Sequence, residues 1–334
     1  MRHRHPAQHY ISGILTGDRL VLSQAITLVE SRRADDQAIA QQVLEAVLAK
    51  TGNSIRIGIT GVPGVGKSTF IEAFGTYLTS LGHHLAVLTV DPTSQRSGGS
   101  LLGDKTRMET LSMNPNAYIR PSPAGDSLGG VAHRTRETIL LCEAAGFDTI
   151  LVETVGVGQS ETVVHGMVDF FLLLMLAGAG DELQGMKRGI MELADALVIT
   201  KADGDNRAAA NRARVEYQNA LHLFPPTGTG WFPPVLTCSA MPSQGTEPHG
   251  IMEVWQLIDE YQQQMTQNGA RNRRRQDQQL TWFISLLRQR LEERFYGQPG
   301  IRDTLTRLEN QVFTGTLLPL QAVDMLLGEL SGKH

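Results

Sequence analysis

Gly61-Val62-Pro63-Gly64-Val65-Gly66-Lys67-Ser68, followed by Thr69, is the stretch whose reading decides the fold. It matches G-x-x-x-x-G-K-[ST] at every specified position, with a short apolar run at 55–60 before it and helical spacing at 67–80 after it. Glycines let the backbone bend until successive N–H groups point inward at phosphate oxygens. The start of the following helix adds the positive end of its dipole. Gly61, Val62, Pro63, Gly64, Val65, Gly66, Lys67, Ser68 and Thr69 are therefore candidate nucleotide-binding residues. Lys67 is expected to reach the β- and γ-phosphates as a catalytic group, and Ser68 to ligand Mg²⁺ through its hydroxyl.

Outward from this loop, short apolar runs at 55–60, 85–91, 117–120, 149–153, 170–176, 196–200 and 235–238 read as strands. Helical segments at 67–80, 131–145 and 206–221 alternate with them. Alternation of this kind predicts an α/β fold of the P-loop NTPase kind, a mostly parallel sheet with helices on both faces. Its functional loops belong at the C-terminal ends of the strands. Apolar residues at three- and four-residue steps make 11–50 helical, with a polar break at 31–36 where Asp35 or Asp36 can cap the second helix. After residue 250 the strands stop, and 252–265, 277–295, 301–310 and 318–330 read as helices. The expected organisation is an N-terminal helical extension over 1–53, a nucleotide-binding domain over 54–250, and a C-terminal helical arm over 251–334.

Composition narrows the function classes. With 334 residues, 41% hydrophobic and 19% charged, the chain reads as an ordinary globular protein. A net charge of -4 argues against a nucleic-acid surface. The apolar run at 170–177 falls well short of the ~20 residues of a membrane span and reads as a buried strand. Cys142 and Cys238 have no metal-ligand spacing and suit a reducing cytosol, so a cytoplasmic location is expected. The histidines at His3, His5 and His9 read as a frayed terminus. Arg271, Arg273, Arg274 and Arg275 read as a solvated helix start. His83-His84 reads as a helix-to-strand turn.

Thr200-Lys201-Ala202-Asp203 follows a predicted strand late in the domain, the place of [NT]-K-x-D in GTPases. Guanine offers N1–H and an exocyclic amine as paired donors, which one carboxylate accepts together, whereas adenine presents a lone pair at N1. Asp203 thus selects guanine, Lys201 covers the base face, and GTP/GDP is the expected ligand. Ser239, Ala240 and Met241, after Cys238, resemble the S-A-x loop whose N–H groups contact guanine O6. Three acids stand at predicted strand ends or loops near the phosphates: Asp91, Asp104 and Glu153. Each can hold Mg²⁺ directly or through water, and Asp104 and Glu153 are candidate catalytic residues. Glu153-x-x-Gly156 takes the place of D-x-x-G, so Gly156 is a candidate γ-phosphate sensor, with Gln159 nearby.

These motifs together resemble the MeaB/ArgK (MMAA-type) GTPase family. The match is carried by Gly61 to Ser68, Asp91-Pro92-Thr93-Ser94, Gly103-Asp104-Lys105, the run from Glu153 through Gly156 and Gln159 to Glu161, the run from Gly178 through Asp181 and Glu182 to Gly185, and Thr200 to Asp203. Thr200 stands where several members have Asn, and Ala177 where several have Pro. The resemblance implies a homodimer with C-terminal helices in the contact, and a partner, the adenosylcobalamin-dependent methylmalonyl-CoA mutase. It further implies a chaperone role in which GTP hydrolysis gates cofactor loading and protects or reactivates the mutase. An extra switch with Asp181, Glu182 and Lys187 would respond to nucleotide and partner. The alternative reading is a kinase that transfers the γ-phosphoryl group to a protein or small molecule.

Overall fold

The computed structural model describes residues 4–90, 108–121, 128–155, 160–178, 188–224, 228–241 and 248–331. Seven strands, β1 (Ile55–Gly61), β2 (Leu85–Val90), β3 (Ala117–Arg120), β4 (Thr149–Thr154), β5 (Phe170–Met175), β6 (Ala196–Ile199) and β7 (Val235–Thr237), form one sheet in the order β3-β2-β4-β1-β5-β6-β7. Every pairing is parallel. Strands β2, β4, β5 and β6 are buried along their whole length, which is why they read as unbroken apolar runs rather than alternating ones.

Successive strand residues point to opposite faces, and each face carries helices. Ile57, Ile59, Leu172 and Leu174 pack with Phe70 and Phe74 of α4 (Lys67–Ser80). Ala86, Leu88, Ile150 and Val152 pack on the other face with the N-terminal helices. Helices α5 (Glu109–Met113), α6 (Leu128–Ala144), α7 (Ser160–His165), α8 (Arg188–Leu193) and α9 (Arg207–Leu221) complete the crossovers. Strand β1 sits between β4 and β5; its own crossover runs to β2 on one side, and the chain after β4 passes over it to β5 on the other. A crevice forms at its C-terminal end, where such sheets bind ligands.

The N-terminal segment holds three helices rather than two: α1 (Ala7–Leu15), α2 (Arg19–Glu30) and α3 (Ala34–Val47). Gly17 turns at φ +74, and the Asp18 carboxylate then caps α2 by accepting from the N–H groups of Leu20 and Val21. Two expectations fail here. Arg33, not Asp35 or Asp36, occupies the cap position of α3. Asp36 is buried against Arg4 at 2.8 Å, and Tyr10 is 2% exposed, so the chain from Arg4 onward is fixed rather than frayed.

Beyond the sheet lie α10 (Ile251–Gln267), α11 (Ala270–Tyr296), α12 (Ile301–Phe313) and α13 (Pro319–Ser331). The chain divides into two compact units, Met1–Gln278 and Gln279–His334. The smaller has its own core of Ile301, Leu308, Ala322 and Leu326. Among the described residues no helix is long and apolar enough to cross a membrane.

The arginine run at the start of α11 is not a solvated face. Arg275 donates to both carboxylate oxygens of Asp169, at 2.7 and 2.6 Å, and to the carbonyl of Ser54 at 2.7 Å. Arg274 donates to Asp195 at 3.0 Å, and Arg271 to Ser54 O at 2.8 Å. Asp169 and Asp195 also accept the backbone N–H groups of Arg56 and Phe171. The run therefore clamps the N-terminal ends of β1, β5 and β6, opposite the phosphate side. Arg273 is the exposed member and bonds to Asn268 O.

Candidate functional site

The P-loop continues β1 directly. Gly61 still pairs with Leu174 of β5, and a Cβ there would stand 2.5 Å from Leu174 O, so no other residue fits. Val62 O accepts from Val65 N–H at 3.3 Å to close the turn, and Val65 is fully buried beneath it. Gly66 precedes α4 at φ +94, a conformation that frees the first N–H groups of the helix toward the loop interior.

Lys67 curls back over its own loop, donating to Gly61 O at 2.8 Å and Val62 O at 3.3 Å. Burial pushes its ammonium pKa down, while the charges of Glu153 and Glu161 pull the other way. Carbonyl contacts of this kind are weak enough to be exchanged for phosphate oxygens, which form charge-assisted bonds with an ammonium. Ser68 donates to Glu153 Oε1 at 3.4 Å, and Glu153, at the end of β4, is 3% exposed. Hard oxygens from a hydroxyl and a carboxylate suit Mg²⁺, which takes few protein ligands and completes its shell with phosphate and water. Asp91, Asp104, Gly156, Gln159, Asp181, Glu182 and Lys187 lie outside the described residues.

The segment after β6 comes against the P-loop. Thr200, after β6, donates its hydroxyl to Val65 O at 2.7 Å, and Lys201 Nζ donates to Gly64 O at 2.9 Å. Thr in this position thus braces the phosphate loop from a buried site. Ala202 N–H donates to Cys238 O at 3.1 Å, and Ser239 Oγ donates to Asp203 Oδ1 at 2.8 Å. That bond orients one carboxylate oxygen.

A cavity of about 920 Å³ joins these parts. Its walls include Val65, Gly66 and Thr69 from the P-loop and the start of α4, and Thr200, Lys201 and Asp203 with Ser239, Ala240 and Met241 from the segments after β6 and β7. Of the sequence candidates, Val65, Gly66, Thr69, Lys201, Asp203, Ser239, Ala240 and Met241 share this opening, whereas Lys67, Ser68 and Glu153 are not among its lining residues. Phe70 and Asn206 also line it and were not singled out from the sequence. Asn206 left a signal, an amide residue opening a helix five positions beyond Lys201. Glu161, 3% exposed and charge-coupled to Lys67, had only its place in the third motif.

The remaining sequence candidates are structural. His83 bonds Asp148 at 2.9 Å in the turn between α4 and β2. Cys142 and Cys238 are free and buried. Among the described residues no cluster of three metal-ligating side chains occurs.

A family profile described as "Methylmalonyl Co-A mutase-associated GTPase MeaB" matches residues 22–300. The chain is 46% identical to the mitochondrial methylmalonic aciduria type A homolog of Mus musculus, over 97% of this chain and 79% of that one. It is 50% identical to GTPase ArgK of Escherichia coli, over 83% of this chain and 81% of the relative. A crystal structure described as LAO/AO transport system kinase is 37% identical, covers 99% of both chains, and superposes with a TM-score of 0.76.

Proposed function

The chain belongs to the methylmalonyl Co-A mutase-associated GTPase family, and on that premise we propose that it binds Mg²⁺·GTP in the described crevice, hydrolyses it, and uses the cycle to serve an adenosylcobalamin-dependent methylmalonyl-CoA mutase. The observation that carries the proposal is the single cavity running from Gly66 and Thr69 to Asp203 and Ser239. A triphosphate seated at the N-terminus of α4 would have its guanine against Asp203. Lys67 would then leave the Gly61 and Val62 carbonyls for the β- and γ-phosphates. Ser68 would hold Mg²⁺, with Glu153 beside it orienting metal-bound or attacking water. Bound Mg²⁺ supplies charge neutralisation for the leaving phosphate oxygens.

In this reading hydrolysis is a timing step, which gates cofactor loading and protects or reactivates the mutase, in the cytoplasm and as a homodimer. An apolar stripe supports the dimer. Leu280, Phe283, Ile284, Leu287 and Leu291 of α11 recur at helical spacing and are all exposed. The GTPase descriptions of the family and of the relatives do not favour transfer of phosphate to an acceptor.

The test is the GTP hydrolysis rate of the purified chain with and without the mutase. Acceleration by the mutase is expected. An unchanged rate with a well-folded mutase would refute the partnership and leave the nucleotide site standing.

A further inference from the structure

The α9 helix opens on an asparagine that does not cap it. Asn206 closes the 3-10 turn Gly204–Asn206 that runs into α9, and its own backbone is already helical (φ -79, ψ -13), so its side chain is not in a capping conformation and bonds no N–H of the first turn. Its amide instead donates to the carbonyl of Lys201 at 2.6 Å. Lys201 is the one non-glycine residue with positive φ among the described residues, at φ +54. That conformation sets Cβ close to the following carbonyl, and a lysine adopts it only when its surroundings hold it there.

The position of this residue makes the strap consequential. Lys201 lies between Thr200, whose hydroxyl is fixed on Val65 O, and Asp203, whose carboxylate is fixed by Ser239. Flipping the Lys201 peptide out of the left-handed region would turn the chain that connects these two fixed points. It would also withdraw Nζ from Gly64 O. Asn206 itself lines the cavity beside Lys201 and Asp203.

We propose that Asn206 is a positioning residue for guanine selection, strapping Lys201 in its left-handed conformation so that Asp203 meets the Watson–Crick edge of the base. The inference rests on the guanine reading of this cavity. The Asn206 amide bonds across the loop from Lys201 to Asp203, and that bond pre-orders the loop before nucleotide arrives.

The test compares GDP with IDP, which lacks the 2-amino group that Asp203 accepts, by calorimetric titration of the full chain. Asn206→Asp removes the donor and sets an acceptor against Lys201 O while keeping the size of the side chain, and circular dichroism with a thermal melt checks that each variant is folded before it is titrated. The expected result is GDP binding weakened about tenfold and a GDP-over-IDP ratio falling toward one. Asn206→Ser, too short to reach Lys201 O, should do the same. In a Lys201→Gly background, where glycine adopts positive φ without the Cβ clash, Asn206→Asp should change GDP affinity by less than about twofold. GDP affinity and ratio in Asn206→Asp and Asn206→Ser within about twofold of the parent would overturn the proposal. So would an equal loss in the Lys201→Gly background. Equal GDP and IDP binding by the unaltered chain would instead overturn the guanine reading beneath it.

Discussion

Replacing Arg275 by methionine tests whether the arginine run holds the sheet together. Asp169 has a side chain only 2% exposed and loses both bonds from Arg275, keeping the one it accepts from Arg56 N–H at 3.0 Å. Breaking a buried pair by removing one partner strands a charge and costs about 3–5 kcal/mol. Burial by itself would raise the Asp169 carboxyl, and Arg275 overrides it and holds the group below the usual carboxylate range. The depressed folded pKa therefore contributes stability above pH 3.8, the ordinary value, which is lost as pH falls through the folded value. In Arg275→Met the same carboxyl rises, so its penalty is fully present at pH 7 and relaxes as acid protonates it. Urea unfolding followed by circular dichroism at pH 7 and pH 4.5 should show a deficit of about 3–5 kcal/mol that narrows in acid. Asp169→Asn added to Arg275→Met should recover most of it, since the amide oxygen still accepts from Arg56 N–H. A deficit below about 1 kcal/mol, the scale of an exposed pair, or one equal at both pH values, would refute the reasoning.

Asp203→Asn should weaken GTP binding by about 2–3 kcal/mol, since a carboxylate accepting two donors is lost, and XTP should bind the variant better than GTP does. Nucleotide titration reads both, and no gain with XTP would remove Asp203 from base recognition. Lys67→Ala should lower GTP affinity by at least about tenfold while leaving the melting temperature of the empty chain close to the parent, because its contacts are two backbone carbonyls of its own loop. Burial, aided by the Arg274 charge, pushes the His165 imidazole from 6.5 down to about 4. The unfolded chain then binds the extra proton in that window, so stability should fall as pH drops from 6.5 to 4, by up to about 3 kcal/mol. In His165→Phe that part of the slope should vanish, as thermal melts across the same range will reveal.

Where local chemistry repeats a pattern, the sequence was enough. Every predicted strand is present within a residue or so at its described ends, because a strand buried on both faces must be an apolar run. The P-loop was legible because a backbone that wraps phosphate needs glycine at fixed spacing. The pattern from Thr200 to Asp203 could be proposed from sequence as base-reading because guanine has one donor pattern for a carboxylate to match. The arginines at 271–275 misled for the converse reason. A charge run carries no local sign of its partners, and Asp169 and Asp195 lie 106 and 79 residues away. Arg4 and Asp36 were opaque in the same way, 32 residues apart across two intervening helices.

The sequence by itself determined the fold class and pointed to a GTPase family, since periodicity, glycine spacing and carboxylate chemistry act within a few residues. Only the tertiary structure decided how the site is held. Thr200 braces Val65, Ser239 aims Asp203, and Asn206 turns from its own helix to Lys201. These bonds join segments brought together by the sheet, and their energy depends on distance through space, which sequence separation does not encode.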